Sequence, residues 1–347
     1  MLREAKRLKA IQMLIVANVF WGLSFPATKA LAMTQQTLLP AGSSWFIASL
    51  CVVYRFGAAA FFLLLLSART LPGMTRLEIE EGLGLGLFAG AGILLQVDGM
   101  AYTSASTSAF LTQCYCVVIP LWVAWRQRRR PAARVFLSCT LVIAGVAVLA
   151  GVNWHSLRLG RGELETIAAS FVFTGQILWL ERPKYIDNNL RHFSLVMFGV
   201  MALVCLPVAL LTTRQPADWL RAYHSGPALG LLGILIFFCT FGGYLLMNRW
   251  QPHLTATQAG LIYCFEPIFA SGFALFLPGW ISAWASVEYA NEKLSGNLLL
   301  GGAWITAANV LIQLPSGAPR RASAESGKKT ILRRAGPVAG RLDDAAS

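Results

Sequence analysis

Apolar residues run along this chain in long, unalternating stretches of Leu, Ala, Phe and Val, separated by short breaks that hold most of the charge. A half-buried strand would alternate with period two, so these stretches predict helices. Crossing a hydrocarbon core of about 30 Å takes about 20 helical residues, and only a helix or closed barrel satisfies its own backbone polar groups in lipid. By that ruler ten spans are expected. The first five begin near Ile11, Trp45, Leu83, Thr107 and Val135; after a polar break from Asn153 to Arg161, five more begin near Gly162, Phe193, Gly226, Thr255 and Ser295. The weakest patterns are the first half of the second stretch and the sixth, which Glu163, Glu165 and Glu181 bracket.

Composition turns these helices into membrane spans. With 56% hydrophobic residues, 13% charged residues and a mean hydropathy of +0.58, the 347-residue chain reads as a multi-pass membrane protein. The net charge of +13 would suit a nucleic-acid binder if the basic residues clustered on one face. Instead they follow the topology. With the N-terminus inside, 22 of the 29 Lys and Arg fall in cytoplasmic segments and 5 on the opposite side, while Lys29 and Arg55 lie within spans. Both termini are therefore expected in the cytoplasm, in an inner or plasma membrane, with anionic inner-leaflet lipid as a partner and no nucleic acid. A cleaved signal peptide fits the first stretch loosely, with Ala30-Leu31-Ala32 as its small-residue site. Its removal would leave nine spans and break the duplication below, so the first helix is expected to stay.

The chain repeats itself. Thr107–Cys116 (TSAFLTQCYC) and Thr257–Glu266 (TQAGLIYCFE) share Thr, Ala, Leu and Cys at a constant offset, and each opens the fourth span of its half. Five spans is an odd number, so the second half enters from the opposite side: an all-α protein of two inverted five-helix repeats, an architecture characteristic of transporters. The expected organisation is a basic cytoplasmic segment over 1–10, repeats over 11–152 and 162–314, and a disordered basic cytoplasmic tail over 315–347.

The stretches FWGLSFPATKAL (Phe20–Leu31), YRF in the second span, TSASTSAFLTQCYCVVIPL in the fourth, TATQAGLIYCFEPIFAS in the ninth and NEKLSGNLLLGGAWITAANVL entering the tenth resemble the EamA-type drug/metabolite transporters over about residues 10 to 314. The resemblance implies a two-repeat helical carrier of small metabolites, often amino acids or related compounds and frequently moved outward, with the fifth and tenth helices peripheral and the others around a central cavity. The chain departs from that pattern in two places. Arg129 stands where the second repeat has Glu292, and the link from Pro278 to Asn291, with Trp280, Trp284 and Glu288, is longer than usual. That insertion reads either as a cap on the outer mouth or as an interfacial loop anchored by tryptophans.

Polar residues inside spans nominate the site. Asn18, Gly22, Phe25 and Lys29 recur at steps of four, three and four and share one helix face beside Trp21, while Pro26 frees a carbonyl that a cavity could satisfy. Lys29 either snorkels to headgroups or attracts a carboxylate in an outer vestibule. Arg55, Asp98 and Glu266 lie deeper, where an ionisable side chain costs roughly 2.5 to 3.5 kcal/mol and needs a partner. Arg55 is expected to pair with Asp98 or Glu266. Glu266 lies one turn from Tyr263 and precedes Pro267; it is read as a proton-coupling group or as part of a structural bend. Gln96, Tyr102, Gln113, Tyr115, Gln176 and Trp179 supply hydrogen bonds and rings for an amphipathic metabolite, or bridge helices. Gly84, Gly86, Gly90 and Gly92 are read as close-packing positions.

Other chemistry finds little support. The four histidines fall in predicted loops on alternating sides, the seven cysteines in spans, and no phosphate-cradling Gly-Lys-Ser/Thr loop is present, so no metal, cofactor, disulfide framework or ATP site is expected. The sequence reading is thus a permease moving a small molecule by alternating access, an exporter rather than an enzyme, with proton coupling and a homodimer both open. Its competitors are a membrane sensor or scaffold without flux and an intramembrane lipid-modifying enzyme.

Overall fold

The computed structural model describes residues 2–126, 128, 130, 133–149, 159–254 and 256–313, and no strand occurs among them. Arg129, the part of the polar break over 153–158, His155 included, and the tail over 315–347 lie outside the described residues. Helix starts coincide with polar interruptions of the apolar pattern, because Ser, Thr and Asn side chains satisfy amides that the first turn leaves free. After α1 (Leu2–Leu38), α2 (Ser44–Ser67) opens at Ser43, whose hydroxyl accepts from the Phe46 amide at 3.1 Å. Helix α3 (Arg76–Gly99) opens with a capping box between Thr75 and Glu78. Ser104 caps α4 (Ala105–Thr112), which is followed by α5 (Tyr115–Arg126) and α6 (Ala133–Leu149).

Helix α7 (Arg161–Leu180) starts without a side-chain cap, and Asn189 caps α8 (Leu190–Thr212). A single turn, α9 (Asp218–Arg221), precedes α10 (Gly226–Ile234), which runs through a π-helical stretch over Leu235–Leu245 into α11 (Leu246–Trp250). The last four helices are α12 (Ala256–Tyr263), α13 (Glu266–Ala274), α14 (Leu277–Ala285) and α15 (Gly296–Gln313).

Six helices among the described residues are long and apolar enough to cross a membrane, and a seventh if the pair Gln258–Ala274 and Leu277–Ala285, bent by 52°, counts as one span. The chain is a multi-pass helical membrane protein. The other expected spans differ for visible reasons: the apolar parts of α6 and α15 are short, Ala133–Val148 and Gly296–Leu311, and the first turns of α7 carry Arg161, Glu163 and Glu165.

Glycines let α3 sit between two neighbours. A Cβ on Gly82 would fall 2.5 Å from Val196 Cβ, and one on Gly86 would fall 2.6 Å from Val200 Cβ, both on α8. Gly84 and Gly92 face Trp179 and Phe173 of α7 instead. Helices α6 and α15 pack on each other, where Ser138 Oγ donates to the Ala308 carbonyl at 3.0 Å. The expected long link after Pro278 is folded: α14 occupies its first half, and Ser282 and Asn291 tie its second half back through bonds of 2.6 to 2.9 Å.

Candidate functional site

A narrow cavity of about 70 Å³ lies in the bundle interior, with walls from α1, α2, α3, α4, α5, α7, α11, α12, α13 and the π-helical stretch. It has room for a few waters. Of the residues nominated by sequence, Trp21, Arg55, Gln96, Tyr115, Gln176, Tyr263 and Glu266 line it. Gln113 stands behind the wall and donates to Glu266 Oε2 at 3.2 Å; Gln96 donates to Thr112 Oγ1 at 2.8 Å. The Tyr263 hydroxyl donates to Gln251 Oε1 at 2.6 Å.

Local backbone irregularity makes this wall. Helices α4 and α5 are interrupted at Gln113–Cys114, and α12 and α13 at Cys264–Phe265, the second break preceding Glu266 and Pro267. Proline tolerates a first-turn position because its missing amide would be unpaired there anyway. Carbonyls near the second break find side-chain donors: Asn18 Nδ2 donates to Ile262 O at 3.0 Å, so Asn18 bridges helices rather than lining the cavity. In the π-helical stretch, which closes i to i+5 bonds and marks functional segments in many helices, Gly243 lies against the Trp21 indole; a Cβ there would fall 2.6 Å from Trp21 Cδ1. Trp21 Nε1 is buried without a hydrogen-bond partner in this wall.

The expected pairing of Arg55 with Asp98 or Glu266 is corrected. Asp98 Oδ2 accepts from Arg161 Nη2 at 2.5 Å, in a cluster where Arg161 also donates to Glu165 at 2.7 Å and to the Tyr102 hydroxyl at 2.6 Å. Ser44 shares the Tyr102 hydroxyl at 2.8 Å. Arg55 instead donates from Nε to Thr240 Oγ1 at 2.7 Å and from Nη1 to Ser24 Oγ at 3.2 Å. For Asp98 the physical reason is depth, since it lies in the last turn of α3, beside the start of α7, and Arg55 lies mid-way along α2; Glu266 lines the same cavity as Arg55 but its carboxylate is turned to Gln113.

Other nominated residues fall outside the cavity. Lys29 donates to the Thr103 carbonyl at 2.5 Å, Tyr102 belongs to the Asp98 cluster, and Trp179 packs on Gly84 beneath the Arg182 guanidinium. His192 is not in a loop: it is buried in the first turn of α8 between Glu78 Oε2 and Thr70 Oγ1, both at 3.0 Å. Nearby, Lys184 bonds Glu80, which holds the lysine pKa above its ordinary value. Sequence reasoning missed Ser24, Thr112, Phe173, Thr240, Tyr244 and Met247. Ser24 was within reach, inside the polar-studded first span, whereas Thr240 carries no signal because nothing in an apolar run announces a π-helical turn.

The seven cysteines are free thiols, and no group of three His, Cys, Asp or Glu that could hold a metal occurs among the described residues. No family model matches the chain. It is similar to a protein of Archaeoglobus fulgidus described as an uncharacterized transporter, 23% identical over 274 residues that cover 78% of each chain. A solved structure described as "Crystal structure of protein" matches with a TM-score of 0.54 at 15% identity, over 89% of this chain and 99% of that one, a likeness of fold.

Proposed function

We propose that the protein is a secondary carrier, an EamA-type permease that moves a small metabolite such as an amino acid or related compound by alternating access, in the outward direction. The observation that carries this reading is the cavity in the bundle interior that the buried Arg55 and Glu266 both line from different helices. Intramembrane charges facing a cavity mark substrate and ion pathways. The transporter description of the Archaeoglobus relative supports the same class.

Helix pairing supports ten spans in two inverted repeats over 11–152 and 162–314. The first helix of the chain packs on α13 and the π-helical stretch, and α7, the first of the second half, packs on α4 and α3. Exchanging the halves maps each pair onto the other. The two helix interruptions fall within one residue of equivalent positions, and discontinuous helices of this kind form midplane sites in secondary transporters. Polar clusters at the two ends of the bundle would act as alternating latches. Asp98, Arg161, Tyr102 and Ser44 hold the end predicted to face outward; Glu78, His192 and Thr70 hold the other.

Glu266 serves in this reading as the proton-coupling group. The test is flux in proteoliposomes of labelled amino acids, nucleosides and organic cations, with and without a pH gradient. The expected result is gradient-driven flux that Glu266→Gln uncouples. Gradient-independent flux that survives the substitution would make Glu266 structural, and absence of flux for every compound would favour a sensor.

A further inference from the structure

Arg55 is 2% exposed and has no counter-charge. Its two hydrogen-bond acceptors, the hydroxyls of Thr240 and Ser24, are neutral, and its guanidinium lies over the Phe56 ring at 5.0 Å. The intramembrane carboxylates are engaged elsewhere, Asp98 by Arg161 and Glu266 by Gln113. Among the described residues no carboxylate lies within 4.0 Å of the guanidinium. A guanidinium carries five N–H donors in a planar fork. The hydroxyls take one from Nε and one from Nη1, which leaves both Nη2 donors and the second Nη1 donor without an acceptor among the described residues. Arg55 lines the cavity, so those donors are accessible to whatever enters it.

We infer that Arg55 is the docking group for a carboxylate of the transported solute, and that Glu266, on another helix of the same cavity, meets the solute's cationic pole. This assignment names the ligand class of the carrier site and rests on that reading. Three arguments select a small zwitterion. Two adjacent donor nitrogens match a planar carboxylate by parallel hydrogen bonds. Glu266, held by the neutral Gln113, ionises at least cost when a cation lies beside it, and Arg55 calls for an anion, so a dipolar solute serves both groups in low dielectric, whereas a simple cation faces Arg55 and a dianion faces Glu266. The cavity is also narrow, which favours a compact solute over a phosphorylated one. Thr240 and Ser24 position the fork by accepting on its other edges.

The test reads binding apart from flux. The full chain in nanodiscs is heated with each proteinogenic amino acid, with its α-amide, with its decarboxylated amine, and with inorganic phosphate and sulfate. At least one amino acid is expected to raise the unfolding temperature, with half-saturation about tenfold or more below that of its amide and amine. Arg55→Gln should erase the preference for acid over amide, and Arg55→Lys should restore part of it. Equal effects of acids and amides, an acid preference that survives Arg55→Gln, no stabilisation by any amino acid, or a stronger Arg55-dependent response to phosphate or sulfate would each overturn the assignment. Should Arg55→Gln fail to fold, Thr240→Val keeps the charge while loosening the fork, and it should weaken acids more than amides. Acid-selective binding without flux of the same compound would keep the docking assignment and remove the carrier reading; flux indifferent to the carboxylate would do the reverse.

Discussion

Two regions of the molecule bury charge in opposite ways. At the end of α3, Asp98 is fully buried, yet it lies 2.5 Å from Arg161, which also holds Glu165 and the Tyr102 hydroxyl. In the central cavity Arg55 and Glu266 are just as deeply placed, but each is held only by neutral side chains. Desolvating an ion costs several kcal/mol, and an ion pair with good geometry recovers most of it. The first region therefore pairs its buried charge and fastens α2, α3 and α7 together, although Asp98 Oδ1 and Glu165 Oε2 stay buried without a hydrogen-bond partner, while the second holds its charged groups with neutral partners alone. A buried charge by itself does not single out a site here; the proposed carrier site rests on charged groups left without a counter-charge beside a cavity.

That contrast predicts opposite signs for one kind of substitution. Arg161→Met strands the Asp98 carboxylate. It should lower stability by about 2–3 kcal/mol, less than the roughly 3–5 of a fully buried pair because Arg161 is 43% exposed. Arg55→Met removes a charge without a counter-ion and should leave the unfolding temperature unchanged or raised, while abolishing uptake of any zwitterion. Unfolding midpoints of both variants in the same detergent check the pair. A large loss for Arg55→Met would mean that the neutral partners in the cavity stabilise their charge as strongly as the ion pair does at the Asp98 end.

Finer cuts separate position from charge. Thr240→Val leaves the Arg55 Nε donor without its acceptor in the interior and should cost about 1–3 kcal/mol, read again from thermal unfolding. Tyr102→Phe removes one hydroxyl that serves both Arg161 and Ser44. Because Tyr102 is 48% exposed and water can replace the bond, the expected loss is about 0.5–1 kcal/mol. If Tyr102→Phe proved the costlier of the two, the Asp98 end rather than the cavity would dominate the polar energetics of the bundle.

How much of this was legible beforehand depends on the range of the interaction. The apolar stretches located the long helices, and the glycines of α3 were recognisable as packing positions, but the caps at Ser43, Thr75, Ser104 and Asn189 are local signals that the apolar pattern passed over, so α3 begins at Arg76 rather than near Leu83. Seven of the thirteen nominated site residues line the cavity, because polar and aromatic side chains inside an apolar helix have few other places to go. Partners were not legible. Asp98 meets a residue 63 positions away, at the edge of a polar break that read as loop, and Arg55 meets Thr240 across 185. Nor was the interruption at Gln113–Cys114, since hydropathy stays high through it; the one at Cys264–Phe265 was foreshadowed by the bend read at Glu266 and Pro267.

The smallest effect is the charge contribution of Glu292, which the sequence marked as a departure between the repeats. Its Oε1 accepts from the Ala105 amide at 2.9 Å and the Ser106 amide at 3.4 Å, the Ser106 hydroxyl donates to Oε2, and its own amide donates to Ala274 O at 2.9 Å. The carboxylate thus caps α4 from far along the chain and joins the start of that helix to the end of α13. Glu292→Gln keeps one acceptor oxygen and loses the favourable interaction of a negative charge with the helix N-terminus, about 0.3–1 kcal/mol at low salt. Glu292→Ala loses the cap as well, about 0.5–2 kcal/mol. Since screening acts only on the charge term, the Gln deficit should shrink in high salt and the additional Ala deficit should not. Unfolding midpoints of both variants at two salt concentrations resolve the two terms, and a Gln deficit unmoved by salt would place the weight on hydrogen-bond geometry, making this strap a neutral clasp rather than a third charged latch beside the Asp98 cluster.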